Sequence, residues 1–282
     1  LVATSRKALV VMLQDLRAEL AKIGLVLNPS KCKVQTNTRR PHGSSSMKVD
    51  NMEIPIADGQ DGFIVLGVCI TVDGRSSKEF ERRCAAAWAK FYELWPLLRR
   101  RESSMKKRLL LFNASVSKSM LWCSGTWTLT AKEKRHLRAV QRNMLRKFAG
   151  PKRAPEEEWV PWIKRATKIA EERAREVGVE CWLISHLRAK WRWAGRLART
   201  DIERWSQRLT FWRDSAWWGT QERGASAYGR RPLRKKGNHT MRWENEIRRF
   251  SCEAGLGDWR DAAQQADVWS SLEQQFVATA WR

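Results

Sequence analysis

The residues best spaced for chemistry are four arginines that recur every three or four positions. They are Arg135, Arg138, Arg142 and Arg146. On a helix this spacing places them on one face, roughly opposite the apolar stripe, where like charges repel one another. A phosphate backbone would relieve that repulsion and release its own counterions. The pattern therefore favours a nucleic-acid-binding face over a merely solvated one, since solvated helix faces usually mix charges of both signs.

The arginine face belongs to a longer basic segment. Residues 99–154 contain 16 Lys and Arg but only two acidic residues, so they contribute +14 of the net charge of +24. A surplus this concentrated works against compaction unless a polyanion binds, and it predicts contact with nucleic acid. The predicted nucleic-acid-binding residues are Arg99, Arg100, Arg101, Lys106, Lys107, Arg108, Arg135, Arg138, Arg142, Arg146 and Lys147.

The carboxylates are not arranged for catalysis. Polymerases and nucleases hold two metal ions with convergent carboxylates. Four aspartates come into question: Asp50, Asp58, Asp61 and Asp73. All four fall in predicted turns, which turn chemistry alone explains. A P-loop and a nucleophile elbow are also missing from the sequence, so we expect no complete catalytic site in this chain.

Metal-binding and export signals are missing too. None of the six cysteines forms a C-x-x-C pair and the four histidines are scattered, so we expect no metal site. The cysteines are typical of small core residues in a reducing compartment. The start at Leu1 has no basic signal region and no apolar stretch is long enough for a membrane span. We expect an intracellular fragment that is neither secreted nor membrane-bound.

Tryptophan is unusually abundant, with 17 residues. Trp191, Arg192 and Trp193 alternate aromatic rings with a cation, an arrangement that could stack on bases. Core tryptophans with arginines lying on their faces are the favoured interpretation. Core positions are predicted for Trp182, Trp205 and Trp212.

The elements that must position these residues begin with a helix. One face is apolar at Leu9, Leu13, Leu16, Leu20 and Ile23. Ser5 is suited to cap the start of this helix and Gly24 to end it.

Short strands are predicted next. Residues 25–34 predict a strand broken at Asn28-Pro29, and residues 37–46 predict a loop. Residues 47–49 and 52–56 predict a hairpin. The apolar run 63–72 predicts a buried strand or hairpin arm.

From Ser76 onward the pattern is helical. One helix is expected to begin at Ser103 or Ser104, and Thr130 with Glu133 forms a capping box for another. Gly150-Pro151 ends that helix. The predicted fold class is α+β, mostly α. The predicted domains are 1–75 with the strands, 76–150 helical and basic, 151–216 helical and Trp-rich, 217–239 a basic flexible linker, and 240–282 a C-terminal helical segment.

The order of several stretches resembles a known family. Residues 24–33 (GLVLNPSKCK) precede 63–68 (FIVLGV), the pair Asp73-Gly74 and the triplet 81–83 (ERR). In this order they resemble the reverse transcriptases of non-LTR retrotransposons, from just after the catalytic Ala-Asp-Asp turn.

The C-terminal part resembles the same family. Residues 191–199 (WRWAGRLAR) are similar to a W-x-W-x-G-H-x-A-R segment that follows the thumb, with Arg196 in place of the usual His. Residues 229–232 (GRRP) and 242–247 (RWENEI) are similar to a G-R-P…R-W-x-D-x-I segment. Trp259 and the residues up to 277 resemble the end of such elements. The resemblance spans nearly the whole chain.

The resemblance implies specific roles. Residues 1–75 would be the rear of the palm, with Leu66 and Gly67 in the primer grip and Val65 where an aromatic residue is usual. Lys31 would be an accessory proton donor to the leaving pyrophosphate, and residues 76–150 would be the thumb. RNA template, DNA primer and the upstream part of the polymerase would be the partners, within a nuclear ribonucleoprotein.

The resemblance also bears on activity. The family's catalytic aspartates lie upstream of Leu1, so Mg²⁺ is expected for the full-length parent and no polymerase activity for this chain alone. Two alternatives stay open. One is a stand-alone RNA- or DNA-binding protein co-opted from such an element. The other is a structural helical-repeat protein whose basic groups only keep it solvated.

Overall fold

The computed structural model describes residues 1–36, 46–57, 62–71, 76–211 and 242–281. These residues form many helices and a few short strands, which confirms the predicted α+β, mostly α fold. The chain divides into two compact units, Leu1–Arg82 and Arg83–Arg282. The predicted loop 37–46 apart from Ser46, the predicted linker 217–239, Trp212 and the turn aspartates Asp58, Asp61 and Asp73 lie outside the described residues.

The N-terminal unit packs one helix on a small sheet. Its elements are α1 (Arg6–Lys22), a 3₁₀ turn (Pro29–Lys31), β1 (Val34–Gln35), β2 (Ser46–Val49), β3 (Met52–Ala57), β4 (Phe63–Val65) and β5 (Val68–Ile70). The strand order is β1-β3-β2, with β2 antiparallel and β1 parallel to β3. Leu13 of α1 lies in one core with Met47, Val49, Ile54 and Ile56 of the hairpin.

Local signals fix α1 and the β2–β3 hairpin as predicted. The Ser5 side chain accepts a hydrogen bond from the Ala8 amide at the start of α1, and Gly24 has φ +74° after its end. The β2–β3 hairpin turns at Asp50. That carboxylate accepts hydrogen bonds from Gln14 and Arg17 of α1, so Asp50 has a structural role.

One prediction for this unit is wrong, and for a second region only one of its two stated alternatives holds. Residues 25–34 do not form a broken strand, because the Asn28 side chain caps the 3₁₀ turn and pairing begins only at β1. Of the two alternatives for the apolar run that begins at Phe63, the buried strand is wrong and the hairpin arm is confirmed among the described residues 63–71. Positive φ at Leu66 (49°) and Gly67 (80°) turns the run back on itself as the β4–β5 hairpin. The tip of this hairpin is open to solvent, with Leu66 92% exposed.

The second unit is helical. Its elements are α2 (Ser77–Glu93, which begins in the first unit), α3 (Trp95–Leu98), α4 (Met105–Phe112), a π-helical turn (Asn113–Ser117), α5 (Lys118–Met120), a 3₁₀ turn (Ser124–Thr126), α6 (Ala131–Ala149), α7 (Trp159–Glu176), α8 (Trp182–Ala198), α9 (Trp205–Phe211), α10 (Asn245–Glu253), α11 (Trp259–Ala262), α12 (Ala266–Ser271) and α13 (Glu273–Trp281). The predicted caps are confirmed at Ser104 of α4 and at Thr130, whose capping box with Glu133 starts α6.

Aromatic rings build the core of the helical unit. The rings of Phe112 and Trp182 stack with centroids 5.8 Å apart. The indoles of Trp191 and Trp269 stack at 3.6 Å, and each indole N–H donates to the other residue's carbonyl oxygen. The core predictions for Trp182 and Trp191 are therefore confirmed. The core prediction for Trp205 is wrong, since α9 leaves its side chain 68% exposed.

Two of the C-terminal stretches that carry the family resemblance, residues 191–199 and 259–277, meet in this core. Phe276 of α13 packs on Trp191, and Trp259 of α11 lies against Trp269. Gly195 permits the contact between α8 and α12, because a Cβ built there would lie 2.5 Å from the Trp269 indole. Packing thus accounts for the spacing of these residues in this chain.

Candidate nucleic-acid interface

The four predicted arginines line a cleft on α6. This arginine cleft has a volume of about 500 Å³ and is formed by Arg135, Arg138, Ala139, Arg142, Asn143 and Arg146. The opposite face of α6 buries Leu137, Met144 and other apolar residues, so the helix's own amphipathicity holds the guanidiniums at the cleft.

The four arginines share one face of α6, roughly opposite its buried apolar residues, but they differ in exposure. Arg138, Arg142 and Arg146 are only half exposed. The reason is that α7 and the end of α13 flank α6, so the arginines lie between helices. Arg135 alone of the four stays exposed.

Three of the arginines are held by neighbouring side chains. The Arg142 Nε donates to Glu171 at 2.7 Å, and the Arg146 Nη1 donates to the Thr167 hydroxyl at 3.1 Å. The Arg138 guanidinium lies 4.2 Å from the centroid of the Trp281 ring. These contacts fix the positions of the guanidiniums and leave several of their N–H groups for a ligand.

The cleft is short of negative charge. Among the residues that the structure describes, Glu171 is the only carboxylate within ion-pair distance of the four guanidiniums. Partial burial and the charge of Arg142 lower the pKa of Arg146, against the opposing effect of Glu171. Phosphate oxygens would accept hydrogen bonds from several guanidinium forks at once and offset this repulsion.

The remaining predicted basic residues lie elsewhere. Arg99, Arg100 and Arg101 follow α3 and are exposed, with Arg100 paired to Glu102 at 2.6 Å. Lys106 and Lys107 are exposed in the first turn of α4, as is Lys147 on α6. Arg108 is half buried and donates to the Leu98 carbonyl at 3.1 Å, which gives it a structural role in the α3–α4 turn.

The residues predicted from the family resemblance lie in the N-terminal unit. Lys31 is exposed at the end of the 3₁₀ turn Pro29–Lys31. Leu66 and Gly67 form the β4–β5 turn, where the Gly67 carbonyl accepts a hydrogen bond from Arg82. Arg82 is in turn paired with Glu79 at 2.9 Å.

A buried ionic cluster was missed by the sequence analysis. Lys190, 1% exposed, donates to Glu246 at 2.7 Å, and Lys134 of α6 binds the other oxygen of the same carboxylate. Burial alone would raise the pKa of Glu246, but the charges and hydrogen bonds of the two lysines lower it to about 2. The available signal was Lys190 itself, a charge within the apolar stripe of α8 three residues after Leu187.

His186 lies one turn before Lys190 in the same core. Its Nδ1 is 2.8 Å from the Ser124 carbonyl oxygen, and its Nε2 is buried with no hydrogen-bond partner among the described residues. Burial, together with the nearby charge of Lys190, lowers the pKa of His186 to about 3. The imidazole is therefore neutral at physiological pH and serves packing.

Within the described part of the chain, no group of three or more His, Cys, Asp or Glu side chains could hold a metal ion. The helices described here also include none that is long and apolar enough to cross a membrane.

Comparison with known proteins gives one distant relative. No protein-family model matches the chain, and no solved structure gives a significant match. The chain is 25% identical over 255 residues to an uncharacterized transposon-derived protein of Caenorhabditis elegans. The alignment covers 84% of this chain and 77% of the relative. The chain is thus similar, along most of its length, to a protein of transposon origin.

Proposed function

We propose that this chain is the C-terminal, nucleic-acid-binding portion of a non-LTR retrotransposon reverse transcriptase. In this proposal the helical residues 76–150 grip the primer–template and residues 1–75 form the rear of the palm. Two lines of support are the order of the family-like stretches and the similarity to a transposon-derived protein.

The observation that carries the binding function is the composition of the arginine cleft. Four guanidiniums converge there and one carboxylate pairs with them in the described structure. Their neighbours are a hydroxyl, an aromatic ring and an amide, which hold or extend the cleft without neutralising it. Such a surface suits the regularly spaced phosphates of a nucleic-acid backbone.

The cleft also predicts the mode of recognition. Guanidiniums that contact phosphates position the nucleic acid but do not discriminate its base sequence. We therefore expect similar affinities for duplexes of unrelated sequence. The chain alone is expected not to extend a primer, because its sequence provides no arranged pair of catalytic carboxylates.

A matched pair of double variants tests the proposal. Arg135→Gln with Arg138→Gln removes two charges from the cleft, and Arg248→Gln with Arg249→Gln removes two exposed charges from α10. Fluorescence anisotropy with an RNA–DNA duplex should show about tenfold weaker binding for the cleft variant. The slope of log K against log salt should fall by about two.

The α10 variant should bind the duplex within about twofold of the unmodified chain. Its two charges lie outside the cleft, and salt screens their attraction to the bound strand. Thermal melting of both variants checks that the fold is intact. Equal loss of affinity in the two variants would reject the cleft as the binding site and favour a role for total charge only.

A further inference from the structure

A second row of arginines lies on α8, away from the stripe on α6. Arg188, Arg192, Arg196 and Arg199 recur at intervals of four, four and three residues, so they share one face of the helix and its C-cap. The first half of this row is neutralised by carboxylates and the second half is not.

Two carboxylates, Glu180 and Glu273, pair with the arginines in the first half of the row. Arg192 donates through Nε and Nη2 to both oxygens of Glu273, at 2.7 and 2.9 Å. The Arg188 Nε lies 3.3 Å from Glu180 and 3.7 Å from Glu273. These arginines are therefore tied into α13 and the residues before α8.

No carboxylate among the described residues lies within ion-pair distance of Arg196 or Arg199. The Arg199 Nη1 donates to the Ala263 carbonyl at 2.7 Å, which fixes the guanidinium and leaves Nε and Nη2 as donors. The Arg196 guanidinium is exposed, 6.0 Å from the centroid of the Trp193 ring.

The two guanidiniums open onto a pocket of about 410 Å³ between α8 and the α12–α13 segment. We call it the α8 pocket; its lining is Trp191, Arg192, Arg196, Arg199, Thr200, Trp269, Ser270 and Glu273. The stacked indoles of Trp191 and Trp269 underlie it and are locked by their reciprocal hydrogen bonds. The pocket is therefore held in shape by the aromatic core.

We infer that the α8 pocket binds a backbone phosphate of a nucleic-acid strand, at a site separate from the arginine cleft. A phosphate offers several acceptor oxygens for the donors of Arg196 and Arg199. The Glu273 carboxylate is already engaged by Arg192, so an incoming anion meets an uncompensated pair of guanidiniums. A volume of this size admits a phosphate with its attached sugar.

The hydroxyls of the pocket indicate binding that is independent of base sequence. Thr200 donates to the Arg196 carbonyl at 2.7 Å, and Ser270 donates to the Ala266 carbonyl at 2.8 Å. Because both hydroxyl protons are donated to backbone carbonyls, the arginines are the main donors that face a ligand. Every nucleotide carries a phosphate, so arginines that bind phosphate do not distinguish one base from another.

The test removes the two unpaired charges. Arg196→Gln with Arg199→Gln should weaken binding of an RNA–DNA duplex by about fivefold and lower the salt slope by about one. The effect should be the same for two duplexes of unrelated sequence. The α10 variant Arg248→Gln with Arg249→Gln serves as the matched control and should bind within about twofold of the unmodified chain with the same salt slope.

Because Arg199 also caps α8, the single variant Arg196→Glu is measured beside the double variant. It keeps the Arg199 contact and should weaken binding at least as much as the double variant. Unchanged affinity and salt slope in folded Arg196→Glu protein would overturn the inference.

Inorganic phosphate provides the second arm. Isothermal titration should show weak, saturable phosphate binding that the double variant loses. Loss of phosphate binding with unaltered duplex binding would overturn the assignment to a nucleic-acid strand. A failure of the arginine cleft would be distinguishable from a failure of the α8 pocket. In that case the variant Arg135→Gln with Arg138→Gln would bind the duplex like the unmodified chain, while the α8 pocket variants would still lose affinity.

Discussion

Glu246 is the residue at which charges from three helices of the helical unit meet. It lies on α10 and accepts hydrogen bonds from Lys190 of α8 and Lys134 of α6. A buried carboxylate is tolerated only when its cationic partners are in place. Removing both charges from water costs free energy, and this cost offsets much of the attraction between them. The lowered pKa of Lys190, caused first by desolvation, reflects that cost.

Removing one member of this pair should be more harmful than removing both. Glu246→Gln leaves the Lys190 ammonium buried without its counter-charge and should lower the free energy of unfolding by about 3–5 kcal/mol. The double variant Lys190→Met with Glu246→Leu should lie closer to the unmodified protein. Urea unfolding measures both, and a double variant less stable than Glu246→Gln would contradict this account.

Acid should destabilise the helical unit in two stages. The folded pKa of His186 is about 3 against an ordinary 6.5, so the unfolded chain takes up a proton first and stability falls from pH 6.5 toward 3. The folded pKa of Glu246 is about 2 against 4.5, so its contribution is present above pH 4.5 and is lost from there toward pH 2.

The His186 stage can be isolated by substitution. His186→Asn keeps a donor for the Ser124 carbonyl but does not titrate. Between pH 6.5 and 4.5, its free energy of unfolding should fall less steeply than that of the parent, by up to about 1.4 kcal/mol per pH unit. Parallel curves from chemical denaturation across this range would show that His186 is not the group responsible.

At the scale of elements, α8 depends on close approach at Gly195. An added methyl group would lie 2.5 Å from the Trp269 indole, so α8 and α12 would have to separate. Gly195→Ala should cost about 1–3 kcal/mol of stability. Adding Trp269→Leu should cost less than the sum of the two single changes, because the clash is then absent. Additive costs in thermal or urea unfolding would contradict the contact.

Elements governed by local chemistry could be predicted from the sequence. The caps of α1, α4 and α6 rest on side-chain bonds to nearby amides, and the β2–β3 hairpin rests on alternation. The apolar run from Phe63 left a buried strand and a hairpin arm both open because its hydrophobicity is continuous. The turn itself depends on positive φ at Leu66, a residue type that rarely adopts it.

The candidate site was predictable as a helix face but not as a cleft. The spacing of Arg135 to Arg146 indicates a common face of α6, but their burial is set by α7 and α13, which lie far along the chain. The same limit applies to Glu246, whose lysine partners are 56 and 112 positions away. Pairing across such distances leaves no periodic signal.

At the scale of the whole molecule, the net charge of +24 is unevenly distributed. Carboxylates neutralise arginines that join helices, as at Arg192 between α8 and α13 and at Arg142 between α6 and α7. Both surfaces also hold guanidiniums with no carboxylate within ion-pair distance among the described residues: Arg135, Arg138 and Arg146 in the arginine cleft, and Arg196 and Arg199 in the α8 pocket. Under the proposed function, these cations without a carboxylate partner are the ones that would attract a polyanion.

The most direct test is the salt dependence of nucleic-acid binding by the unmodified chain. Anisotropy titrations with an RNA–DNA duplex should give a dissociation constant that is micromolar or tighter at about 50 mM salt. Affinity should weaken by about a thousandfold on going to about 500 mM, because releasing counterions from the phosphates gains less free energy at high salt. Equally weak binding at both salt concentrations would contradict the account.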